Sequence, residues 1–287
     1  MAKIIDGTKA AEEIKSSVKS ELDSLGALPR RPLLATVLVG EDPGSKTYVT
    51  MKTKAAAAVG MLTRGVALPA AATLAELSAA LTQLAADPAV DGILLQLPLP
   101  PQIDQFAAVE SIPPGKDVDG LTSANAGLVA CGRAGDALVS CTPRGIVRLV
   151  ESVASPVRGK HVVVVNHSTV VGRPLGQLLL NRGATVTTCH VDTRDLVSHL
   201  AVADVVVTAV GKAGLVRAEM IKPGAVVIDG GYSRVDGKIR GDAEFETVSK
   251  VASWITPPTG GVGPMTIAML VSNTLKAFKR HVGIPQK

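Results

Sequence analysis

His161-Val162-Val163-Val164-Val165 runs straight into Asn166-His167-Ser168-Thr169-Val170-Val171-Gly172-Arg173-Pro174, and this stretch decides the fold. Consecutive valines favour extended chain, because branching at Cβ stiffens the side chain. A continuous apolar run of this length reads as a strand covered on both faces. The polar turn closes on Gly172, and residues 172–181 read as a helix. Strands follow at 184–189, 204–210 and 225–228, with helices between them. Strand, turn and helix repeated in this order make a doubly wound, nucleotide-binding parallel sheet.

Upstream the same logic holds more loosely. Residues 8–25 read as an amphipathic helix with Glu, Lys and Ser on its wet face. Leu33–Val39 is a continuous apolar run, again a strand buried on both faces. Glu41-Asp42-Pro43-Gly44-Ser45 is a turn and a helix start, and that helix runs towards Gly60. Residues 73–86 form another helix, and 91–97 a second buried strand stopped by Pro98. The spacing therefore predicts an α/β chain, and 287 residues suffice for two domains or one large one. The border is expected near Ser140-Cys141-Thr142-Pro143, with Thr142 as helix cap and Pro143 in the first helical position. A last helix is expected over about 266–281, beyond the loop Gly260-Gly261-Val262-Gly263-Pro264.

Composition narrows the function classes. Aromatic residues make up only 2% of the chain, against 46% hydrophobic, so Ala, Val, Leu and Ile must build the core. So few aromatics disfavour a single-strand nucleic-acid reader, which needs stacking platforms. The net charge of +5 is scattered rather than run together, which also argues against nucleic acid. Cys131, Cys141 and Cys189 have no metal-ligand spacing, and an odd count fits reduced thiols in an intracellular, cytoplasmic protein. The five histidines form no H-x-x-x-H pair, so no metal site is expected. Nothing at Met1-Ala2-Lys3-Ile4-Ile5-Asp6 reads as a signal peptide, and no apolar run is long enough for a membrane span.

The chemistry concentrates in three short segments. In Tyr48-Val49-Thr50-Met51-Lys52 an aromatic ring and an amine lie four residues apart, on one face of a helix. Gln96 ends the buried strand before Pro98, and strand ends are where open α/β sheets build clefts. Lys116-Asp117-Val118-Asp119-Gly120 carries a carboxylate in a turn. A lysine desolvated in a cleft loses proton affinity and can act as acid or base near neutrality. The plain alternatives are a solvated surface lysine and an Asx-turn at Asp119 before Gly120. Tyr-x-x-x-Lys is also the catalytic pair of short-chain dehydrogenases. There, however, it follows the nucleotide-binding glycines, whereas here it precedes the nucleotide fold.

These segments, with Ile5-Asp6-Gly7 and the Gly260–Pro264 loop, resemble the bifunctional methylenetetrahydrofolate dehydrogenase/methenyltetrahydrofolate cyclohydrolase family nearly end to end. The resemblance implies two α/β domains flanking a cleft. A folate-binding catalytic domain, 1–140, would be completed by the C-terminal helix 266–287, and 141–265 would be a Rossmann-type dinucleotide domain. It implies that Lys52 is the main cyclohydrolase group, tuned by Gln96. Tyr48 would lie against the folate rings and Asp119 would hold the pterin's amino-pyrimidine edge, with Gly263 and Pro264 also at the substrate. A carboxylate suits the pterin because it accepts two parallel N–H bonds from a planar ring. Tetrahydrofolate derivatives, NADP and a homodimer follow from the same resemblance.

The dinucleotide half departs from that family's pattern. Related enzymes have Gly-Arg-Ser before Val-Gly-x-Pro. Here Ser168, Val171, Gly172 and Pro174 match, while Asn166 replaces the Gly and His167 the Arg. Asn is the least costly substitute where left-handed geometry is needed, so Asn166 is expected there. Neutral histidine is a weaker phosphate partner than arginine. Asp192, after the next strand, is a candidate to take a ribose 2′-hydroxyl and to repel a 2′-phosphate, the plain alternative being a solvated loop residue. Arg173 and Arg194 remain as phosphate partners, so NADP is favoured and NAD stays open. Tyr232, in Ile228-Asp229-Gly230-Gly231-Tyr232-Ser233, is expected near the nicotinamide. Thr259 and Ser140 each replace a usual proline. Three alternatives therefore stand: a cyclohydrolase with an impaired dinucleotide site, a non-catalytic binding relative, and a different dehydrogenase on a similar fold.

Overall fold

The computed structural model describes residues 1–26, 28 and 30–285. The chain runs β1 (Lys3–Ile4), α1 (Gly7–Ser24), β2 (Leu33–Val39), α2 (Pro43–Ala58), β3 (Leu62–Leu68), α3 (Leu74–Ala86), β4 (Gly92–Leu95), α4 (Gln105–Glu110) and α5 (Ser123–Ala130). It continues with α6 (Cys141–Ala154), β5 (His161–Val165), α7 (Gly172–Leu180), β6 (Thr185–Cys189), α8 (Leu196–Leu200), β7 (Val205–Thr208) and β8 (Val226–Asp229). The last elements are β9 (Ser233–Val235), β10 (Lys238–Arg240), α9 (Phe245–Val248), β11 (Trp254–Ile255) and α10 (Val262–His281). They fall into two compact units. One holds residues 1–11, 129–132 and 142–266; the other holds 12–128, 133–141 and 267–287.

The second of these units is built on a three-stranded parallel sheet ordered β3-β2-β4. Its central strand, β2, places Leu34, Ala35 and Val37 in full burial, as its unbroken apolar run requires. Helix α2 opens with Asp42, whose carboxylate accepts the Ser45 N–H at 2.7 Å, and has Pro43 in its first turn. Helix α3 opens with a capping box. Thr73 Oγ1 accepts the Glu76 N–H at 3.2 Å, and Glu76 accepts the Thr73 N–H at 2.8 Å. Leu77, Leu81 and Leu84 then form its buried stripe.

The other unit is a six-stranded, all-parallel sheet ordered β1-β11-β8-β7-β5-β6. From β5 the chain moves outward to β6 and then returns to β7 on the other side. That reversal leaves a crevice at the carboxyl ends of β5 and β7, the usual ligand position in such sheets. Val162, Val163 and Val164 are fully buried in β5. Helix α6 begins at Cys141, so Thr142 is not its cap; Pro143 sits inside the first turn, where its missing N–H has no helical acceptor to lose. Helix α10 begins at Val262 rather than near 266, so Gly263 and Pro264 belong to its first turn for the same reason.

Candidate functional site

Tyr48 and Lys52 share one face of α2, one turn apart. Lys52 is only 6% exposed, far from the solvated lysine that its sequence position also allowed. Its Nζ donates to Gln96 Oε1 at 3.1 Å. Gln96 is itself buried just beyond the end of β4, and its backbone N–H is fixed by the Val37 carbonyl of β2 at 2.9 Å. Among the described residues the amine is thus partnered by a neutral amide and forms no ion pair. A buried charge without a counter-ion is costly, so this placement carries strong functional weight.

The segment after Lys116 lies beside β4 in parallel. Ile93 bridges Asp117, and the Ile93 N–H donates to the Lys116 carbonyl at 2.7 Å. Asp119 therefore leaves the same edge of the sheet as Gln96. The turn before Gly120 is held by the Asp117 side chain, not by Asp119. Asp117 Oδ1 accepts the Gly120 N–H at 2.9 Å, and Oδ2 accepts from Thr122 N at 2.8 Å and Asn125 Nδ2 at 3.1 Å. Burial pushes the Asp117 carboxyl above its usual range, and these hydrogen bonds pull it back. Asn273 of α10, fully buried, donates to the carbonyls of Val118 at 2.9 Å and Val139 at 2.8 Å. Gly120 has φ +74°, and a Cβ there would lie 2.5 Å from the Leu138 carbonyl oxygen, so only glycine fits. The half-buried Asp119 carboxylate takes no intramolecular hydrogen bond among the described residues and remains available to a ligand. Asp117, Asn125 and Asn273 escape the sequence reading; only the Asp-x-Asp-Gly spacing hints at the first.

At the carboxyl end of β5 the turn departs from expectation. Asn166 does not adopt left-handed geometry; among the described non-glycine residues only Asp195 and Asp236 have positive φ. Its role lies in its side chain. Oδ1 accepts the N–H groups of Ser168 at 2.7 Å and Gly172 at 3.0 Å, while Nδ2 donates to the Ala209 carbonyl of the β7 end. Gly172 packs so closely that a Cβ would stand 2.0 Å from the Asn166 carbonyl oxygen. The start of α7 is consequently complete in itself. Gly172 N–H goes to Asn166, Arg173 N–H to the Ser168 carbonyl at 3.0 Å, Pro174 has none, and Leu175 N–H goes to Val171 at 3.0 Å. The tight strand–turn–helix fits a dinucleotide, but the first helical turn offers its pyrophosphate no spare amide. His167, Ser168 and Arg173 are all exposed around it.

The neighbouring strand ends complete this edge. Beyond β6, His190 and Asp192 project beside His167, with the two imidazole centroids 5.0 Å apart. Beyond β8, Tyr232 is 51% exposed. Two buried carboxylates fasten the chain below it. Asp229 accepts N–H groups from Gly231, Asp242 and Ala243, at 2.8, 3.1 and 2.8 Å. Asp242 accepts from Thr208 Oγ1, Val210 N and Lys212 N, at 2.8, 2.6 and 2.7 Å. Burial, with a smaller push from Asp242, raises the Asp229 carboxyl to about 6. In the Gly260 loop, Gly260 has φ +82° and accepts the Thr8 N–H at 2.9 Å. Gly263 has open space around its α-carbon, so no close approach demands glycine there. Among the described residues no three His, Cys, Asp or Glu side chains are grouped to hold a metal, and no helix is long and apolar enough to cross a membrane.

Comparison with known proteins matches both halves of this arrangement. Residues 5–119 match the catalytic domain of tetrahydrofolate dehydrogenase/cyclohydrolase, and residues 140–282 match its NAD(P)-binding domain. The bifunctional protein FolD of Halothermothrix orenii is 47% identical over 98% of this chain and 99% of its own. That of Methylibium petroleiphilum is 48% identical, with the same coverage. Among solved structures, the bifunctional FolD of Campylobacter jejuni superposes with a TM-score of 0.94 at 41% identity, covering 98% of this chain and 99% of that one. The Trypanosoma brucei enzyme, complexed with NADP cofactor and inhibitor, gives 0.93 at 40% identity, covering 98% of each chain. With a buried amine held by an amide in the three-stranded unit, a tight strand–turn–helix after β5 in the six-stranded unit, and relatives matching end to end, the chain belongs to the tetrahydrofolate dehydrogenase/cyclohydrolase family.

Proposed function

We propose that this protein oxidises 5,10-methylenetetrahydrofolate to 5,10-methenyltetrahydrofolate with NADP+ and hydrolyses that product to 10-formyltetrahydrofolate. The observation that carries the reading is the buried Lys52 amine, 3.1 Å from Gln96 Oε1. In the hydrolysis, water adds to the bridging carbon of the cation, a proton leaves the hydrate, and another reaches N5 as its bond to that carbon breaks. Lys52 is the group that moves these protons, and general acid–base help of this kind contributes about 10²- to 10⁴-fold. Gln96 orients the amine, Tyr48 stacks on the folate rings, and Asp119 accepts the pterin's N–H groups. Gly263 and Pro264 border the substrate from the start of α10. When bound, the oxidised nicotinamide supplies the hydride acceptor. Asn166, His167, Ser168, Gly172, Arg173, Asp192 and Tyr232 form its site. The unit containing Lys52 is the folate unit, and the six-stranded sheet carries the dinucleotide.

A homodimer in the cytoplasm completes the proposal. Edge strand β3 supports it, because Leu62 is 52% exposed and the strand's outer edge is unpaired among the described residues. The three free cysteines are consistent with a reducing compartment. A second reading, hydrolysis alone, is favoured by the one fact that the first turn of α7 has no free amide for pyrophosphate. A paired spectrophotometric assay separates the two. One cuvette follows oxidation of 5,10-methylenetetrahydrofolate with NADP+ or NAD+, the other decay of 5,10-methenyltetrahydrofolate without dinucleotide. Activity in both is expected. Hydrolysis alone would establish the second reading, and silence in both would overturn the proposal.

A further inference from the structure

We propose that His167 and His190 form a paired-imidazole reader of the dinucleotide's 2′-phosphate, and that their protonation sets the preference for NADP over NAD, with Asp192 as the opposing selector. The inference rests on the dinucleotide reading above and concerns side chains particular to this turn. His167 follows β5 and His190 follows the adjacent β6, so the sheet register itself brings them together. Their rings lie 5.0 Å apart, tilted by 50°. The end of the second strand is where Rossmann-type sheets read the ribose 2′ position. Because the amides of the first turn of α7 are already engaged, side chains at this edge must carry most of the anion recognition.

The hydrogen bonds around His190 describe a two-position device. The backbone N–H of Asp192 donates to His190 Nδ1 at 3.2 Å, which requires that nitrogen to be unprotonated. The Asp192 carboxylate stands 3.6 Å from the same nitrogen and is 84% exposed. In the neutral state the carboxylate is free to accept a ribose hydroxyl and to repel a 2′-phosphate. In the protonated state Nδ1 turns to the carboxylate, partly neutralising it, and the two imidazolium rings present N–H donors to a phosphate. Other charged groups stand nearby. Arg173 of α7 donates Nε–H to the His167 carbonyl at 3.1 Å, and Arg194 is exposed in the loop after β6. Asp195 is turned to the start of α8, where it accepts the Ser198 N–H at 3.3 Å. Thr193 Oγ1 holds the His190 N–H at 2.8 Å. Histidine is the side chain whose charge ordinarily changes near neutrality, so the two imidazoles are the moving part.

The test uses the full chain and two fragments that differ only in the 2′-phosphate, 2′,5′-ADP and 5′-AMP. Calorimetric titration between about pH 6 and about pH 8 gives the ratio of their affinities. The 2′-phosphate gains charge over this range, which alone would push the ratio up with pH. We expect it instead to fall by about tenfold, the effect of about one lost charge-assisted hydrogen bond. In the His167→Asn/His190→Asn double variant the fall should vanish. Asp192→Ser should raise the ratio most at the upper end of the range. The imidazole C–H resonances of both histidines should titrate at higher pH with 2′,5′-ADP bound than with 5′-AMP, a readout independent of folding differences between variants. A ratio that is flat or rises in the unmodified protein overturns the gate, as does an equal fall in the double variant. Binding of neither fragment at any pH overturns the dinucleotide reading together with the gate.

Discussion

Replacing Asp229 with Asn should change how the stability of the six-stranded unit depends on pH. In the fold, burial raises the Asp229 carboxyl from 3.8 to about 6. The native state therefore binds more protons than the unfolded chain between those values, and stability must fall as pH rises through them. The cost of ionising Asp229 is absent below about pH 4 and fully present above about pH 6. At about 1.4 kcal/mol per pKa unit, the displacement corresponds to about 3 kcal/mol. Asn cannot titrate, so the stability of the native protein minus that of Asp229→Asn should drop by about 3 kcal/mol between about pH 4 and about pH 7. At every pH the variant carries a second, constant penalty. Both carboxylate oxygens accept backbone N–H groups, and an amide NH₂ must face one of them. The assay is urea unfolding at several pH values, followed through Trp254. This is the chain's single tryptophan, and it pairs with Val226 of β8 itself. A difference that stays level across the range would refute the reasoning, because the protonation of Asp229 would then be the same in both states.

Three further outcomes follow from the same geometry. Lys52→Met should lower hydrolysis of 5,10-methenyltetrahydrofolate at least about 100-fold without lowering the thermal midpoint, since an apolar side chain replaces a buried cation; an unchanged rate in the folded variant would remove Lys52 from the chemistry. Asn273→Leu leaves the Val118 and Val139 carbonyls without their buried donor. It should cost about 2–5 kcal/mol in urea unfolding and raise the folate KM through the loosened Asp119 turn, whereas a loss below about 1 kcal/mol would show that this pin is dispensable. Asp192→Ser should raise the kcat/KM ratio for NADP+ over NAD+ by about tenfold near neutrality, and a constant ratio would place Asp192 away from the ribose.

The elements that could be read in advance are those whose own residues decide them. Leu33–Val39 and His161–Val165 are strands over the same residues in sequence and structure, because each is an unbroken apolar run. β1 and β11 are two residues each, too short for any periodicity, and are strands through their pairing alone, β1 with β11 and β11 also with β8. The hairpin β9–β10 carries a legible signal in the dipeptide Asp236-Gly237, whose φ angles of 51° and 76° suit a tight reversal. The last helix starts four residues earlier than the expected 266, because the first turn of a helix tolerates Gly263 and Pro264. At the candidate site, Lys52 and Gln96 were found because strand ends and helix faces are local facts. Asn125, Asn273 and Asp242 were not, since each acts by satisfying backbone groups far away in sequence, whereas Asp117 acts on the nearby amides of Gly120 and Thr122. Asn166 departs from the glycine pattern through its side chain, which accepts the Ser168 and Gly172 amides, and not through a left-handed backbone.

The closed hydrogen-bond circuit at the start of α7 also bears on timing. A loop that needs a phosphate to satisfy its amides must be ordered by each arriving ligand, and loses conformational entropy at every turnover. Here Asn166 meets that demand permanently, so the turn is already organised before anything binds. Arrival and departure of the dinucleotide then require no refolding of this segment, which favours rapid exchange of oxidised for reduced ligand over long residence. On the proposed dinucleotide reading, the asparagine side chain trades part of the grip on pyrophosphate for a docking edge that is organised in advance.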